Sequence, residues 1–405
     1  MKRRSFLATT FAASSLSLKA AEKTTEAPIA SAAPAAVGIL RGQPLISGPA
    51  PSSLAIIQAL NGPATGYAEI SINDGEWQKI HQESDGLLAY ESHVLKFLLP
   101  VIPVSAKLSY RVKVCPIDFS QSYSIKRAAE QSSQTFSIKT LDPNSPETRF
   151  CVWNDTHENL PVIQALHDLT IKSKPDFLLW NGDQTNNVLD IDNMAEQYIC
   201  PGALPISSSY PLAYLRGNHD VRGREARLVE KFTHSPGADF TYGFRSGPVA
   251  CLCMDTGEDK ADDHPVFAGL AGFDLMRKRQ TIWLENIIQQ PWFVSAPYKI
   301  LFCHIPLWWS DEVTDHGSYW FHKPCREAWL PLLVKAGIQL VVSGHTHQPA
   351  YLPVTDQRPI PQLIGGGPKR EIATLTEYVA NKENLSITMK KLDGEILHSV
   401  VIKPA

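Results

Sequence analysis

A short apolar run that leads directly into polar residues decides the fold: Leu212-Ala213-Tyr214-Leu215-Arg216-Gly217-Asn218-His219-Asp220. Four apolar residues without alternation are typical of a strand that is buried on both faces of a parallel sheet. The polar residues that follow lie at the carboxyl end of this strand, where α/β sheets bind their ligands. The segment therefore predicts an α/β domain with a functional site at its strand ends.

The same pattern recurs on both sides of this segment. Apolar runs at 149–153, 177–180, 249–254, 299–303 and 339–342 indicate further buried strands. Amphipathic stretches at 160–171, 277–288 and 326–334 indicate helices between them. After Pro349 the chain returns to strand-like runs, which end at 386–391 and 396–402. We therefore predict an α/β domain with a β-rich C-terminal portion.

Polar clusters follow all but one of the predicted strands in this domain. Besides Gly217-Asn218-His219-Asp220, they are Asp155-Thr156-His157, Gly182-Asp183, His304 and Gly344-His345-Thr346-His347. Each cluster alone is a weak signal, because Asp-x-His can be a helix cap and Gly-Asp a turn. The carboxyl ends of parallel strands share one edge, so the clusters should converge. His345 and His347 should face the same way if their segment is extended.

The ordered motifs Asp-x-His, Gly-Asp, Gly-Asn-His-Asp, His and Gly-His-x-His, within residues 150–367, resemble those of the calcineurin-like metallophosphoesterases. The resemblance implies an αββα two-sheet sandwich in residues 147–405, with two metal ions at the strand ends. It implies that one ion is bound by Asp155, His157, Asp183 and His347. The other would be bound by Asp183, Asn218, His304 and His345, with Asp183 shared.

The ligand chemistry agrees with a dinuclear centre. A carboxylate can offer one oxygen to each of two ions, so an aspartate is a suitable bridge. Mixed imidazole and oxygen ligands suit Mn, Fe or Zn better than Ca, which prefers oxygen alone. We therefore expect two divalent or mixed-valence transition metals as cofactors. Such a pair clamps the attacking and leaving oxygens of an in-line displacement.

The resemblance also gives the expected reaction. His219 matches the family's histidine that faces the substrate phosphate, and Asp220 is expected to brace it and fix its tautomer. We expect a small-molecule phosphate mono- or diester to be hydrolysed by a metal-bound hydroxide. The motifs fit class III cyclic-nucleotide phosphodiesterases equally well. A catalytically silent metal- or phosphate-binding module is the non-enzymatic alternative, disfavoured because every ligand position carries a competent residue.

Residues 38–146 have an all-β pattern. Runs at 54–60, 67–72, 93–98, 108–114 and 134–138, separated by turn sequences, predict a small β-sandwich, and the turn-rich stretch 141–146 marks its end. A sandwich ahead of the metal domain is similar to the layout of purple acid phosphatases, which implies a fibronectin III-like fold. Those enzymes have a tyrosine where this chain has Asn186, and they lack the histidine present here as His157. We therefore predict a colourless protein without a tyrosinate–iron(III) pair.

Residues 1–37 have the order of a signal peptide followed by a flexible leader. Lys2-Arg3-Arg4-Ser5-Phe6-Leu7 is a twin-arginine start, an apolar run extends to Leu18, and small residues follow at Ala20-Ala21. The run is shorter than the ~20 residues that span a bilayer, so we expect no transmembrane segment in the mature chain. The predicted partner is the export machinery, and the predicted location is periplasmic or extracellular.

The remaining features leave alternatives open. A net charge of −3 lacks the basic footprint of a nucleic-acid-binding protein. Asp255-Thr256-Gly257 could support the metal shell or form a plain turn. Arg222 and Arg224 could contact phosphate or stay solvated. The aromatic stretch after His304 could stack on a substrate or cover the core: Trp308, Trp309, His316, Tyr319, Trp320, Phe321 and His322. Seven cysteines without a CxxC pair receive no role.

Overall fold

The structure is a computed structural model that describes residues 38–309 and 322–405. The predicted leader 1–37 and the aromatic residues His316, Tyr319, Trp320 and Phe321 lie outside these ranges, as does the side chain of His322. The N-terminal part consists of strands alone: β1 (Leu40–Ser47), β2 (Ala55–Leu60), β3 (Ala64–Ile72), β4 (Gln78–His81), β5 (Glu83–Ser84), β6 (Leu87–Leu88), β7 (Val94–Leu98), β8 (Lys107–Gln121), β9 (Ser124–Arg127), β10 (Gln131–Ser132) and β11 (Phe136–Lys139).

The rest of the chain alternates strands and helices before it ends in strands, as predicted. In chain order these are β12 (Thr148–Trp153), α1 (Leu160–Ser173), β13 (Phe177–Asn181), α2 (Ile191–Tyr198), β14 (Leu212–Leu215), α3 (Val229–Phe232), β15 (Tyr242–Ser246), β16 (Val249–Cys253), α4 (Phe273–Ile287), α5 (Pro291–Val294), β17 (Tyr298–Phe302), α6 (His322–Ala336), β18 (Leu340–Ser343), β19 (Ala350–Leu352), β20 (Gln362–Ile364), β21 (Thr374–Ala380), β22 (Leu385–Lys391) and β23 (Ile396–Ile402). None of the helices described has the length and apolarity that a bilayer-spanning helix needs.

Two sheets carry the predicted site at their strand ends. The first has the order β23-β22-β21-β12-β13-β14-β1-β2-β7, and the second has the order β15-β16-β17-β18-β20-β19. Strands β12, β13 and β14 are parallel neighbours, as are β16, β17 and β18. Trp153 is in register with Trp180, and Cys253 with Phe302. Neighbouring parallel strands therefore end level, which brings the loops that follow them to one edge.

The layers run helix, sheet, sheet, helix. Phe150 of β12 stacks on Phe177 and on Tyr378, at centroid distances of 4.6 and 4.3 Å, and belongs to the core between the sheets. Val162 and Leu166 of α1 pack on the outer face of the first sheet, whose other face this core covers. Trp329 of α6 packs on the outer face of the second. The predicted α/β class is confirmed. Strands that are apolar on both faces are covered by helices on one face and by the other sheet on the opposite face.

The N-terminal strands divide among three sheets, one of which continues into the α/β part and one of which is the pair β5 and β6. Strands β1, β2 and β7 extend the first sheet, with Ser47 of β1 in parallel register with Leu212 of β14. Strands β3, β4, β8, β9, β10 and β11 form another sheet. The cause is that β1 is apolar on both faces: Leu45 packs with the helices around α2, and Ile46 packs towards β3 and β8. Residues 38–405 consequently form one compact unit.

Candidate metal centre

The loops after five strands bring the predicted site residues together. Asp155 and His157 follow β12, Asp183 follows β13, Asn218 and His219 follow β14, His304 follows β17, and His345 and His347 follow β18. Asp155, Asp183, Asn218 and His304 are at most 1% exposed. We call these eight residues the metal centre. The convergence expected from the parallel strands is therefore present.

One group of possible ligand atoms surrounds Asp155. His347 Nε2 lies 3.3 Å from Asp155 Oδ1, and His157 Nε2 lies 3.8 Å from the same oxygen. The Nε2 atoms of His157 and His347 are 3.1 Å apart. Together, the three residues offer one ligand atom each within 4.8 Å of one another, which is close enough for a single ion.

A second group surrounds Asp183. His304 Nε2 lies 3.1 Å from Asp183 Oδ2, and His345 completes a set of three ligand atoms within 4.8 Å of one another. Asn218 Oδ1 lies 2.8 Å from His345 Nδ1 and so reaches the same group. Asp183 Oδ2 is also 3.5 Å from His157 Nε2 in the first group. Asp183 therefore stands between the two groups, where a bridging ligand is needed.

Buried atoms without partners show that these residues fit cations. Asp155 Oδ1, His304 Nε2 and Asn218 Nδ2 are buried and have no hydrogen bond to any described residue. Asp155 Oδ1 and His304 Nε2 point towards each other at 3.8 Å. Such buried orphan atoms are rare because each costs about 1–3 kcal/mol. A cation between the carboxylates and imidazoles would satisfy the oxygen and the imidazole nitrogen.

Other hydrogen bonds hold the opposite side of three of these ligands. Asp155 Oδ2 accepts from the His345 amide at 2.8 Å and from Asn154 Nδ2 at 2.5 Å. Asp183 Oδ1 accepts from the His219 amide, and His304 Nδ1 donates to the Asn181 carbonyl, both at 2.8 Å. These bonds fix each ring and carboxylate, and they leave the second atom of each free to face an ion.

Five of the seven predicted ligands have a left-handed backbone. Their φ angles are +50° at Asp155, +44° at His157, +53° at Asp183, +70° at His345 and +56° at His347. This corrects the expectation that the segment of His345 and His347 is extended, although both imidazoles still face the centre. A non-glycine residue in this region costs of order 1 kcal/mol or more and persists only where its surroundings enforce it. Here the hydrogen bonds of the carboxylates supply that constraint.

Two motif glycines are required by close approach. A Cβ atom at Gly217 would stand 2.2 Å from Asp183 Oδ1, and one at Gly344 would stand 2.3 Å from Asp155 Oδ2. No side chain fits at such distances, because both contacts are far inside van der Waals separation. The glycines of Gly-Asn-His-Asp and Gly-His-Thr-His therefore make room for the two carboxylates.

The carboxylates keep a proton on His304, whereas burial and the charge of His304 keep His345 neutral. Burial alone would lower the pKa of His304, but Asp183 and Asp155 outweigh it and raise that pKa to about 10. In return, His304 lowers the pKa of both carboxyls against the effect of their burial. Burial and the charge of His304 lower the pKa of His345 to about 4. The chain without metal thus keeps a proton on His304, which a bound ion has to displace.

His219 lies at the margin of the centre. Its ring centroid is 4.7 Å from that of His157, its Nδ1 donates to the Asn186 carbonyl at 2.9 Å, and its Nε2 accepts from Arg222 Nη1 at 2.9 Å. Burial lowers the pKa of His219 in spite of the nearby Asp183. These contacts define a neutral imidazole with its proton on Nδ1.

Asp220 does not brace His219, which corrects the sequence-based expectation. Its Oδ2 accepts from the backbone amides of Gly217 and Asp183, each at 2.8 Å, and its Oδ1 accepts from Tyr198 Oη at 3.2 Å. Burial, followed by the charge of Asp183, raises the pKa of Asp220 to about 7. Asp220 therefore fixes the loops that carry Asp183 and Asn218, whereas Asn186 and Arg222 hold His219. A backbone carbonyl leaves no signal in sequence.

The open alternatives resolve as follows. Asp255 pairs with Arg216 at 2.7 Å, whereas Thr256 Oγ1 accepts from the Ile305 amide and so fixes the residue after His304. Trp308 is buried in the core beneath α6, in agreement with a covering role. Arg222 does not stay solvated. It contacts His219 at the margin of the metal centre and also forms ion pairs with Glu258 and Asp259.

Sequence reasoning missed two residues that hold the predicted ligands and His219 in place. Asn186 Oδ1 lies 3.2 Å from His157 Nδ1, and its carbonyl holds His219. Asn154 binds Asp155 and the Gly366 carbonyl. Asn186 was visible only as a departure from the purple acid phosphatase pattern. Asn154 precedes a motif aspartate, but its partner Gly366 is far along the chain.

This fold gathers carboxylates and histidines at its strand ends, an arrangement that suits the binding of transition-metal ions. Residues 148–349 match the model of the calcineurin-like phosphoesterase family. The chain belongs to the metallophosphoesterases through this segment, as the motifs predicted.

Curated relatives resemble about half of the chain. Serine/threonine-protein phosphatase CPPED1 of Danio rerio is 27% identical over 193 residues, which are 47% of this chain and 59% of that protein. The Mus musculus protein of the same name is 26% identical over 175 residues, or 42% of this chain and 49% of that protein. The chain thus matches only half to three fifths of the length of these relatives.

Two solved structures share the fold over most of the chain. Purple acid phosphatase PPD1 from Lupinus luteus superposes with a TM-score of 0.66 at 14% identity, over 89% of this chain and 74% of that one. PhoD superposes with a TM-score of 0.59 at 12% identity, over 91% of this chain and 94% of that one. Residues 148–405 make up less than two thirds of the chain. The shared fold therefore includes strands from the N-terminal part.

Proposed function

We propose that the protein hydrolyses phosphate mono- or diesters with two divalent or mixed-valence ions of Mn, Fe or Zn. One observation carries the proposal: seven possible ligands converge in two groups, with Asp183 between them and orphaned buried atoms facing inwards. Two bound divalent ions would neutralise charge on a phosphate and lower the pKa of a water between them. The carboxylates of Asp155 and Asp183 would offset part of the charge of these ions.

The chain's own residues would then position the ester. His219 is only partly buried at the margin of the centre, so it can face a phosphate that enters there. Its Nδ1 is tied to the Asn186 carbonyl, and this directs Nε2 and the Arg222 guanidinium to the same place. Arg222 can donate to a phosphoryl oxygen, and His219 Nε2 can donate to the leaving oxygen once it has taken up a proton.

The test uses two chromogenic esters. Protein loaded with Mn²⁺ should hydrolyse p-nitrophenyl phosphate and bis-p-nitrophenyl phosphate, and a chelator should stop both reactions. The names of the CPPED1 relatives favour the monoester as the better substrate. Higher kcat/KM for cyclic nucleotides would favour the cyclic-nucleotide phosphodiesterase alternative. A sample that contains two ions per chain and hydrolyses no ester would favour a silent metal- or phosphate-binding module.

We also propose that residues 1–37 direct twin-arginine export, so that the enzyme works in the periplasm or outside the cell. The support is the order of basic, apolar and small residues. Exchange of Arg3 and Arg4 for lysine keeps the charge and should trap the protein inside the cell, whereas Lys2→Arg should not. We further propose a fibronectin III-like arrangement for residues 38–146, which would dock on the catalytic sheet through β1.

A further inference from the structure

A cavity of about 610 Å³ adjoins the metal centre. Its size lies within the range that holds small-molecule ligands. Arg222 lines it and also contacts His219 Nε2 at 2.9 Å, so one residue separates the cavity from the centre. We call it the Arg222 pocket; it is lined by residues 221–224, Arg227, Glu258, Lys260, Val266, Phe267, Leu270, Ala271 and Phe273.

One wall of the Arg222 pocket is apolar. Val266 is 65% exposed and Leu270 is 73% exposed, although both belong to the wall. Phe267 and Phe273 stand beside them with ring centroids 6.4 Å apart in an edge-on arrangement. Apolar side chains grouped around an open cavity are typical of a site that buries a ligand's apolar part.

The other wall has an excess of positive charge. Arg222 is neutralised by Glu258 and Asp259, and Lys260 pairs with Asp259 at 2.5 Å. Arg224 is 72% exposed and reaches only its neighbour Glu225, at 3.3 Å. Arg227 is exposed, and no carboxylate among the described residues forms an ion pair with it. The Arg227 guanidinium therefore remains to attract an anion, and Arg224 can turn from its exposed contact with Glu225 towards the same anion.

We propose that the Arg222 pocket binds the leaving group of the ester, and that this group has an aromatic or apolar body with a second anionic group. The inference rests on the proposed function. If the phosphate of the ester lies beside His219, its leaving group extends past Arg222 towards Phe267 and Leu270. A carboxylate or further phosphate on that group would then meet Arg224 and Arg227.

The experiment compares two esters that differ in one charge. These are 6-(phosphonooxy)-2-naphthoate and its primary amide, which have the same ring system and nearly the same size. The wild type should show a kcat/KM about tenfold higher for the acid, as expected for two partly exposed ion pairs. The product pair, 6-hydroxy-2-naphthoate and its amide, tests binding by calorimetry without any need for turnover.

Two variants and a control locate the effect. The double change Arg224→Gln and Arg227→Gln should bring the acid-to-amide ratio close to one in both assays. Phe267→Ala should weaken acid and amide alike, because it removes apolar contact and no charge. Arg149→Gln removes an exposed arginine at the start of β12, at the opposite end of the strands from the site, and should leave the ratio unchanged. Circular dichroism checks that each variant is folded.

The outcomes separate the inference from the proposed function. Hydrolysis of p-nitrophenyl phosphate with no preference for the naphthoate, or a preference that survives the double change, overturns the pocket assignment alone. Calorimetry could show that the acid product binds more tightly than the amide and that the double change removes this preference, while no ester is hydrolysed. That result would support the pocket assignment and overturn the proposed function. Binding of neither product overturns the pocket assignment whatever the activity.

Discussion

The Nε2 atoms of His157 and His347 lie 3.1 Å apart, although 190 positions separate the two residues in sequence. Two imidazole nitrogens at this distance either share one proton or direct both lone pairs at a cation. His157 Nδ1 is already engaged by Asn186, and Asp155 Oδ1 faces both rings. The two imidazoles therefore bind either a proton or a metal ion between them. Without either, two lone pairs would face each other at short distance, which is energetically unfavourable.

Loss of the shared carboxylate should remove both ions. Asp183→Ala deletes the oxygen that lies between the two groups, so we expect no bound metal after gel filtration and no turnover. Elemental analysis measures the first, and the chromogenic esters measure the second. Bound metal at about 100 times its Kd stabilises a protein by about 2.7 kcal/mol, so a chelator should lower the Tm of the wild type but not that of the variant.

The control for this variant is Asp168→Ala, which removes an exposed carboxylate of α1 whose one side-chain hydrogen bond within the described residues is to Gln164. It should keep both ions and full activity. Two ions retained by Asp183→Ala would contradict the bridging position.

Substitutions at Asp220 test whether this residue braces His219 or fixes the loops that carry Asp183 and Asn218. Asparagine can keep its oxygen on the two backbone amides and turn its NH₂ towards Tyr198 Oη, so Asp220→Asn should stay within about 1 kcal/mol of the wild type in unfolding free energy. Asp220→Ala leaves two buried N–H groups without an acceptor, which costs about 1–3 kcal/mol each. Urea titration measures both.

Activity supplies the second readout for Asp220. If the carboxylate set the tautomer of His219, Asp220→Asn would lower kcat by orders of magnitude at unchanged stability. We expect kcat to fall less than tenfold instead, because the His219 ring is held by Asn186 and Arg222.

The convergence of the predicted ligands could be predicted from the sequence because it depends on residues that are adjacent in the chain. Each ligand cluster directly follows an apolar strand, so the convergence of Asp155, Asp183 and His304 needs only parallel pairing of those strands. Gly217 and Gly344 fit the same reasoning, since each precedes a ligand and makes room for a carboxylate. The family motifs then supplied which atoms should share an ion.

The features that sequence reasoning missed depend on distant partners. Strand β1 joins the first sheet through Ser47 and Leu212, and nothing in residues 40–47 names that neighbour. Asp220 follows His219 in the chain, which suggested a direct contact, yet its partners are backbone amides and Tyr198. The pairing of Arg222 with Glu258 joins two loops whose approach only the folded chain determines.

Asn186 should control the ring of His157. Asn186→Ala removes the acceptor of His157 Nδ1 but keeps the carbonyl that holds His219. Loss of such a supporting contact lowers metal affinity about 10–100-fold. Competition with a fluorescent chelator measures this change, and kcat at saturating Mn²⁺ should be nearly unchanged. Asn186→Ser is the partial-rescue control, because a serine hydroxyl that reaches the ring can accept from His157 Nδ1. An equal fall in metal affinity for both variants would mean that serine fails to reach the ring.

Iron-loaded wild type should show no visible tyrosinate band, because no tyrosine stands at position 186.

His219 should matter for chemistry and little for metal content. The contact of this residue with Asp183 uses its backbone amide, which His219→Ala retains. We expect two ions per chain and a fall in kcat of about 10²–10⁴-fold, the usual range for loss of a group that transfers protons. Loss of metal in this variant would instead identify His219 as a ligand, as its place beside His157 and Asp183 allows.

His234 should make the fold sensitive to acid at a position remote from the metal ligands. Its Nε2 donates to the Ser53 carbonyl at 2.9 Å and so ties the segment after α3 to the N-terminal strands. Its buried Nδ1 has no hydrogen bond among the described residues and lies 3.9 Å from Glu230 Oε1. Burial, assisted by Lys96, lowers the pKa of His234 to about 4, whereas an unfolded histidine titrates near 6.5. The unfolded chain therefore binds more protons between these values, so stability is present above pH 6.5 and is lost as the pH falls towards 4.

A shift of this size corresponds to roughly 3 kcal/mol. His234→Gln keeps a donor for Ser53 and cannot titrate, so the wild type should lose about 3 kcal/mol more unfolding free energy than the variant between pH 7 and pH 4. Urea titration of the chelated proteins at several pH values measures the difference without a contribution from metal release. The exposed His81 serves as the control for the loss of a histidine, and His81→Gln should have the unfolding free energy of the wild type at pH 7. Parallel curves of unfolding free energy against pH for the wild type and His234→Gln would show that the protonation of His234 does not change on unfolding. The loss of stability in acid would then come from protonation of the carboxylates.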